Sequence, residues 1–179
     1  YKKIYKNLNL TIYNNNIYVA DNIGFIYAIS FENGTIVWIK NHGIPLKSNI
    51  KILQNKLFVI NQDSRLICLD IDKGDSIWDL RTISSFIKSQ SVMGLAISNN
   101  NSVLMLNSSG DLKKINADDG TVEWSLNLTM SSLSDTADLF SSSDVVIHDD
   151  ELIVSTSSST FSFNVSNGYL NWENDIGSK

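Results

Sequence analysis

The sequence predicts an all-β fold built as a run of about four four-stranded antiparallel blades of a β-propeller, and three observations carry that prediction. Each of the four tryptophans sits four residues after a glycine, as Gly34/Trp38, Gly74/Trp78, Gly120/Trp124 and Gly168/Trp172. Successive tryptophans are 40, 46 and 48 residues apart, a spacing that suits a propeller blade and exceeds an ankyrin or tetratricopeptide unit. One proline against nine glycines, in 179 residues of which 42 % are hydrophobic, fits many short strands joined by tight turns. That apolar content is enough for one sizeable core or a row of smaller ones.

The strands follow in the same order in every unit. An opening strand is expected at about Leu8–Tyr13, Ile50–Leu53, Val92–Ser98 and Asp144–His148. A second follows at Ile17–Ala20, Leu57–Ile60, Val103–Leu106 and Leu152–Ser155, and its mostly unbroken apolar run predicts burial on both faces. The third ends five to three residues before the glycine, where large apolar, polar and apolar positions alternate, as in Ile29-Ser30-Phe31 and Leu69-Asp70-Ile71. Pairs such as Glu32-Asn33 and Asp118-Asp119 then suit a type I turn, and the glycine takes the positive φ that lets the chain rejoin the ladder as a bulge. The fourth strand carries the tryptophan, as in Thr121-Val122-Glu123-Trp124-Ser125. The approximate blades are residues 4–41, 48–82, 92–128 and 144–175, and no segment reads as a helix. Two longer links interrupt the rhythm, Ser84–Ser91 and Leu128–Ser143. The second carries Met130, Leu133, Leu139 and Phe140 and is the candidate partner-contacting loop.

Charge and chemistry exclude more than they propose. A formal net charge of −5 argues against a broad grip on nucleic-acid phosphates. No apolar run approaches the roughly 18–20 residues of a membrane-spanning helix, so the chain as given reads as soluble. A single cysteine, Cys68, removes an intramolecular disulfide, a cysteine-rich zinc site and a haem-attachment motif. Cys68 occupies a slot filled elsewhere by Ala28 and Ser162, which predicts a buried packing residue. His42 and His148 lack ligand spacing and read as strand-end or surface residues. Asp118-Asp119 falls in a turn and His148-Asp149-Asp150-Glu151 between two strands, and neither cluster supplies the oxygens that calcium needs. The tryptophans read as structural staples, and Tyr5, Tyr13 and Tyr169 as strand packing, although exposed aromatics there would suit a carbohydrate- or peptide-binding module. No phosphate loop or nucleophile elbow is present, and no catalytic residue, cofactor or metal ligand is assigned.

Ala28-x-Ser30-x-x-Asn33-Gly34-x-x-x-Trp38 and Cys68-x-Asp70-x-x-Lys73-Gly74-x-x-x-Trp78 resemble the AxDxxTGxxxW docking motif of quinoprotein-type (PQQ-like repeat) β-propellers. The copies ending at Trp124 and Trp172 keep the glycine and tryptophan, with Lys114 or Ser162 in the small slot and Asn116 or Asn164 for the aspartate. None has threonine before the glycine. The resemblance covers nearly the whole chain and implies indoles that tie neighbouring blades into a ring of seven or eight, of which this chain would be about half. It also implies two functional branches. One is the non-enzymatic, BamB-type periplasmic scaffolds of outer-membrane protein assembly, whose partners are other envelope proteins. The other is the dehydrogenases that hold pyrroloquinoline quinone and calcium, which usually carry a vicinal cysteine pair that a lone Cys68 cannot supply. The first branch is the expectation, with an outer-membrane-associated location and association completing the ring.

Overall fold

The computed structural model describes residues 8–82, 92–129 and 143–177. Sixteen strands form four antiparallel sheets, each a simple meander in chain order. The first blade is β1 (Leu8–Tyr13), β2 (Asn16–Asp21), β3 (Phe25–Ser30) and β4 (Ile36–Asn41). The second is β5 (Lys51–Leu53), β6 (Lys56–Ile60), β7 (Arg65–Asp70) and β8 (Ser76–Arg81). The third is β9 (Gly94–Ser98), β10 (Ser102–Leu106), β11 (Asp111–Asn116) and β12 (Val122–Asn127). The fourth is β13 (Val146–His148), β14 (Glu151–Ser155), β15 (Thr160–Asn164) and β16 (Leu170–Asn174). The fold is therefore a partial β-propeller of four blades, with no helix among the described residues.

The opening strands converge on the axis. β5 lies against β9 and β9 against β13, a parallel bridge joins Ser48 to Met93, and Thr11 Oγ1 of β1 donates to Ile50 O at 3.1 Å. The fourth strands therefore form the outer rim. Asp144 fastens three blades near the axis, accepting from Asn49 Nδ2 at 3.1 Å and from Leu95 N at 3.2 Å.

The core is divided into layers between blades. Tyr18, Ala28 and Trp38 of the first blade meet Leu57, Val59 and Leu69 of the second. Phe58, Ile60 and Cys68, on the opposite face of the same second sheet, meet Leu95, Val103 and Met105. Leu104, Leu106 and Leu112 then meet Leu152, Phe161 and Phe163. Alternate residues of a strand serve opposite layers, which is why β6 and β10 are apolar throughout. In the two inner blades these runs are wholly buried, whereas in the fourth blade burial alternates, with Ile153 only half covered. The expected two-faced burial is not seen there, since among the described residues no sheet lies against that second face.

A second recurring turn joins strands two and three, and the sequence reading overlooked it. Asp21 Oδ1 accepts from Ile23 N and Phe25 N, Asn61 Oδ1 from Asp63 N and Arg65 N, and Asn107 Oδ1 from Ser109 N and Asp111 N. Thr156 Oγ1 does the same in the fourth blade, toward Ser158 N and Ser159 N. A polar residue three before Gly24, Ser64, Gly110 or Ser159 was the available signal.

Candidate functional site

The residues that repeat most strictly meet at the blade junctions. The hairpin between strands three and four closes with the amide of Gly74 donating to Asp70 O at 2.8 Å, and those of Gly120 and Gly168 to Asn116 O and Asn164 O at 3.0 and 2.8 Å. The polar side chain of the motif caps this turn: Asp70 Oδ1 accepts from Asp72 N and Lys73 N, and Asn116 Oδ1 from Asp118 N. Each hairpin then carries one further register shift just before its tryptophan. That shift sets Trp38 opposite Ala28, Trp78 opposite Cys68 and Trp172 opposite Ser162, so a small side chain leaves the indole room. Lys114 breaks the pattern opposite Trp124; its buried stem leads to Glu123, whose carboxylate lies 2.9 Å from Nζ.

Three of the four indoles reach the turn of the next blade. Trp38 Nε1 donates to Ile71 O at 3.0 Å, Trp78 Nε1 to Ala117 O at 3.2 Å and Trp124 Nε1 to Val165 O at 3.0 Å. The rings lie flat on the glycines. A Cβ added at Gly74 would meet Trp38 at 2.7 Å, and one at Gly120 or Gly168 would meet Trp78 or Trp124 at 2.8 or 2.9 Å. Glycine is thus required at Gly168 twice over, for its φ of +75° and for the ring stacked upon it.

Ion pairs cross the same junctions at the rim. Lys40 of the first blade meets Asp75 of the second at 2.6 Å, and Lys56 of the second meets Asp118 of the third. The hydrogen bond from each lysine is the main cause holding its aspartate below the usual carboxylate value. Within the second blade Arg65 holds Asp79 low in the same way.

The remaining candidate residues are dispersed. Cys68 is buried between the second and third blades, and burial pushes its thiol up to about 12. His148 is exposed at the end of β13, while His42, just past β4, is half-buried, with burial and Lys40 lowering its imidazole pKa. His42, Arg65 and Asp79 line a recess of about 140 Å³, well below the roughly 300 Å³ at which small-molecule sites begin. Tyr13 packs on the first interblade layer and Tyr169 is exposed, while Tyr5 lies outside the described residues. Asp150 is held by Asn164 and Ser166. No group of three His, Cys, Asp or Glu that could hold a metal occurs among the described residues. Met130, Leu133, Leu139 and Phe140 also lie outside them, as does the link at residues 84–91.

Blades locked in this way, tryptophan on turn glycine, define a segment of a PQQ-repeat β-propeller. The profile described as outer membrane protein assembly factor BamB matches residues 9–179, and the chain belongs to that family. A curated relative, the outer membrane protein assembly factor BamB of Moranella endobia (strain PCIT), is 23 % identical over 145 residues, covering 73 % of this chain and 35 % of the relative. Among solved structures, BamB from Moraxella catarrhalis aligns with a TM-score of 0.81 at 15 % identity, over 96 % of this chain and 53 % of that one. Quinohemoprotein alcohol dehydrogenase from Comamonas testosteroni aligns with a TM-score of 0.70 at 14 % identity, over 93 % and 34 % respectively. The chain therefore spans between about a third and a half of the relatives it matches.

Proposed function

We propose that the chain is a non-enzymatic docking scaffold of the BamB type, acting at the periplasmic side of the outer membrane in the assembly of outer-membrane proteins. The observation that carries this reading is the family match along residues 9–179. The geometry agrees with it, because the strictly repeated residues are committed to holding blades together and are unavailable for chemistry. Such a body works by presentation, offering loops and strand edges in a fixed arrangement. In the sheets as described, β4, β8 and β12 have a strand neighbour on one side only, and Ile36, Ile77 and Val122 are exposed on them. An extended segment of an envelope protein would add to such an edge, taking main-chain hydrogen bonds and apolar contacts together. The Leu128–Ser143 loop, with Met130, Leu133, Leu139 and Phe140, is the second proposed contact.

The test is direct binding of the purified protein to the soluble periplasmic domains of the outer-membrane assembly machinery of its source, by biolayer interferometry. Saturable binding that weakens when Ile36 is changed to proline is expected. No binding, together with stoichiometric uptake of pyrroloquinoline quinone and calcium and dye-linked alcohol oxidation, would replace this reading by that of a dehydrogenase segment.

A further inference from the structure

The link from the first blade to the second encloses a polar recess against the face of the second sheet. Main-chain bonds pin that link in place: His42 N donates to Gly24 O and Gln62 N to Pro45 O, both at 2.8 Å, and Leu46 bridges to Asn61. Gly24 lets it lie close, since a Cβ there would meet Ile44 O at 2.8 Å. The recess of about 140 Å³ is walled by His42 of the link, Asn61 of the turn before β7, Arg65 and Ile67 of β7, and Ser76 and Asp79 of β8.

Two of these side chains hold polar atoms that the fold leaves without a partner. His42 Nε2 is buried and makes no hydrogen bond among the described residues. Asn61 is 1 % exposed; its Oδ1 accepts from the amides of Asp63 and Arg65, while its Nδ2 donates to nothing among the described residues. Native structures rarely bury such groups unsatisfied, because the lost hydration is not replaced. Burial and the charge of Lys40 lower the His42 pKa, so at neutral pH the ring is uncharged and can present Nε2 as an N–H.

The charges around the recess are also unbalanced. Arg65 and Arg81 stand directly opposite one another on β7 and β8, and like charges so placed repel. Asp79 lies on the same face, and its carboxylate accepts from Arg65 Nε at 2.6 Å and from Arg65 Nη2. Arg65 Nη1 and the guanidinium of Arg81 make no hydrogen bond among the described residues. Two guanidiniums against one carboxylate leave one positive charge here, in a chain whose formal charge is −5.

We infer that this recess binds a single carboxylate group, with Arg65 Nη1, Asn61 Nδ2 and His42 Nε2 as donors and Arg81 as the second balancing charge. A carboxylate only accepts hydrogen bonds, at about four lone-pair sites, and its one negative charge matches the local excess. A cation would meet two arginines, and a cofactor needs at least about twice the volume. Free small acids and acidic side chains of a bound polypeptide offer the same chemistry. The inference stands apart from the scaffold role, because every residue it uses lies at an internal blade junction.

Long-range ¹H–¹⁵N nuclear magnetic resonance of the two histidines tests it, with the exposed His148 of the fourth blade as internal reference. Sodium acetate, added at ionic strength held constant with sodium chloride, should shift His42 saturably with a Kd of roughly 1–50 mM and leave His148 unmoved. Arg81→Gln should weaken acetate by about two- to fivefold. Asp79→Asn frees Arg65 Nε and Nη2 and should tighten it by about the same factor. Both side chains are exposed, so both variants should keep the wild-type far-UV circular dichroism. The peptide acetyl-Gly-Glu-Gly-amide separates the two sources: affinity no higher than that of acetate assigns the site to free small acids, and higher affinity assigns it to an acidic side chain. A His42 signal that acetate moves no more than acetamide does, as in a recess holding water alone, would overturn the proposal. So would phosphate binding more tightly than acetate, or the two variants changing affinity in the same direction.

Discussion

Replacing Trp38 by alanine should cost the fold far more than the same change at Trp172, although the two occupy equivalent places in the repeat. Trp38 is buried, sits on Gly74, lies 6.1 Å from the ring of Tyr18 and donates to the carbonyl of the buried Ile71. Truncating a buried large aromatic typically costs about 3–5 kcal/mol, a figure that includes the cavity left behind. Orphaning the Ile71 carbonyl belongs to the same loss and is worth about 1–3 kcal/mol when the group cannot reach water. Trp172 is 42 % exposed, with no blade against it among the described residues, so its removal from this chain forfeits only partial burial, about 1 kcal/mol. Trp38→Phe keeps most of the apolar area and loses the N–H donor, which places it between the two at about 2 kcal/mol. Urea unfolding followed by far-UV circular dichroism measures all three. Costs for Trp38→Ala and Trp172→Ala within about 0.5 kcal/mol of each other, inside the usual scatter of surface changes, would refute the reasoning that the following blade is what makes the indole matter.

Three further outcomes follow from the same geometry. Gly168→Ala should destabilise by about 1–3 kcal/mol more than Gly34→Ala, because both positions demand positive φ but only Gly168 has a ring 2.9 Å from the new Cβ; equal losses in urea unfolding would contradict this. Cys68 should resist iodoacetamide in the folded protein and react only as the chain unfolds, since the buried thiol is pushed up to about 12; rapid stoichiometric labelling of native protein would place it elsewhere. Asp75, Asp79 and Asp118 are all held below their ordinary value of 3.8 by Lys40, Arg65 and Lys56. The folded state therefore binds fewer protons than the unfolded one, so their stabilisation is complete above that value and is lost as pH falls through the lowered one. Melting temperatures should drop through the acid range, less steeply in the triple Asp→Asn variant, and an unchanged slope would count against these pairs.

Much of this architecture is legible in the chain because the physical demand recurs with every blade. A turn that needs positive φ selects glycine, and an indole that must span to the next blade selects tryptophan four residues later; four repetitions make the pattern stand out from one sequence alone. The all-apolar runs Leu57–Ile60 and Val103–Leu106 announce sheets covered on both sides for the same reason. The turns after Asp21, Asn61, Asn107 and Thr156 were harder to see because aspartate, asparagine and threonine all satisfy them, so the chemistry repeats without the letter. Likewise the small residue opposite the tryptophan varies from alanine to cysteine to serine, and even lysine serves when Glu123 takes its charge. The uneven burial of the fourth blade was not legible for a different reason. A local motif marks each indole and each turn glycine, but which of them another blade covers depends on blade order, which no single copy of the motif encodes.

The most direct measurement of the account is hydrogen exchange at the four tryptophan indole N–H groups, resolved by two-dimensional ¹⁵N nuclear magnetic resonance. Trp38, Trp78 and Trp124 each donate to a carbonyl of the next blade and should exchange slowly. Trp172, 42 % exposed and without a hydrogen bond among the described residues, should exchange rapidly. Four indoles that exchange alike would contradict the interblade lock.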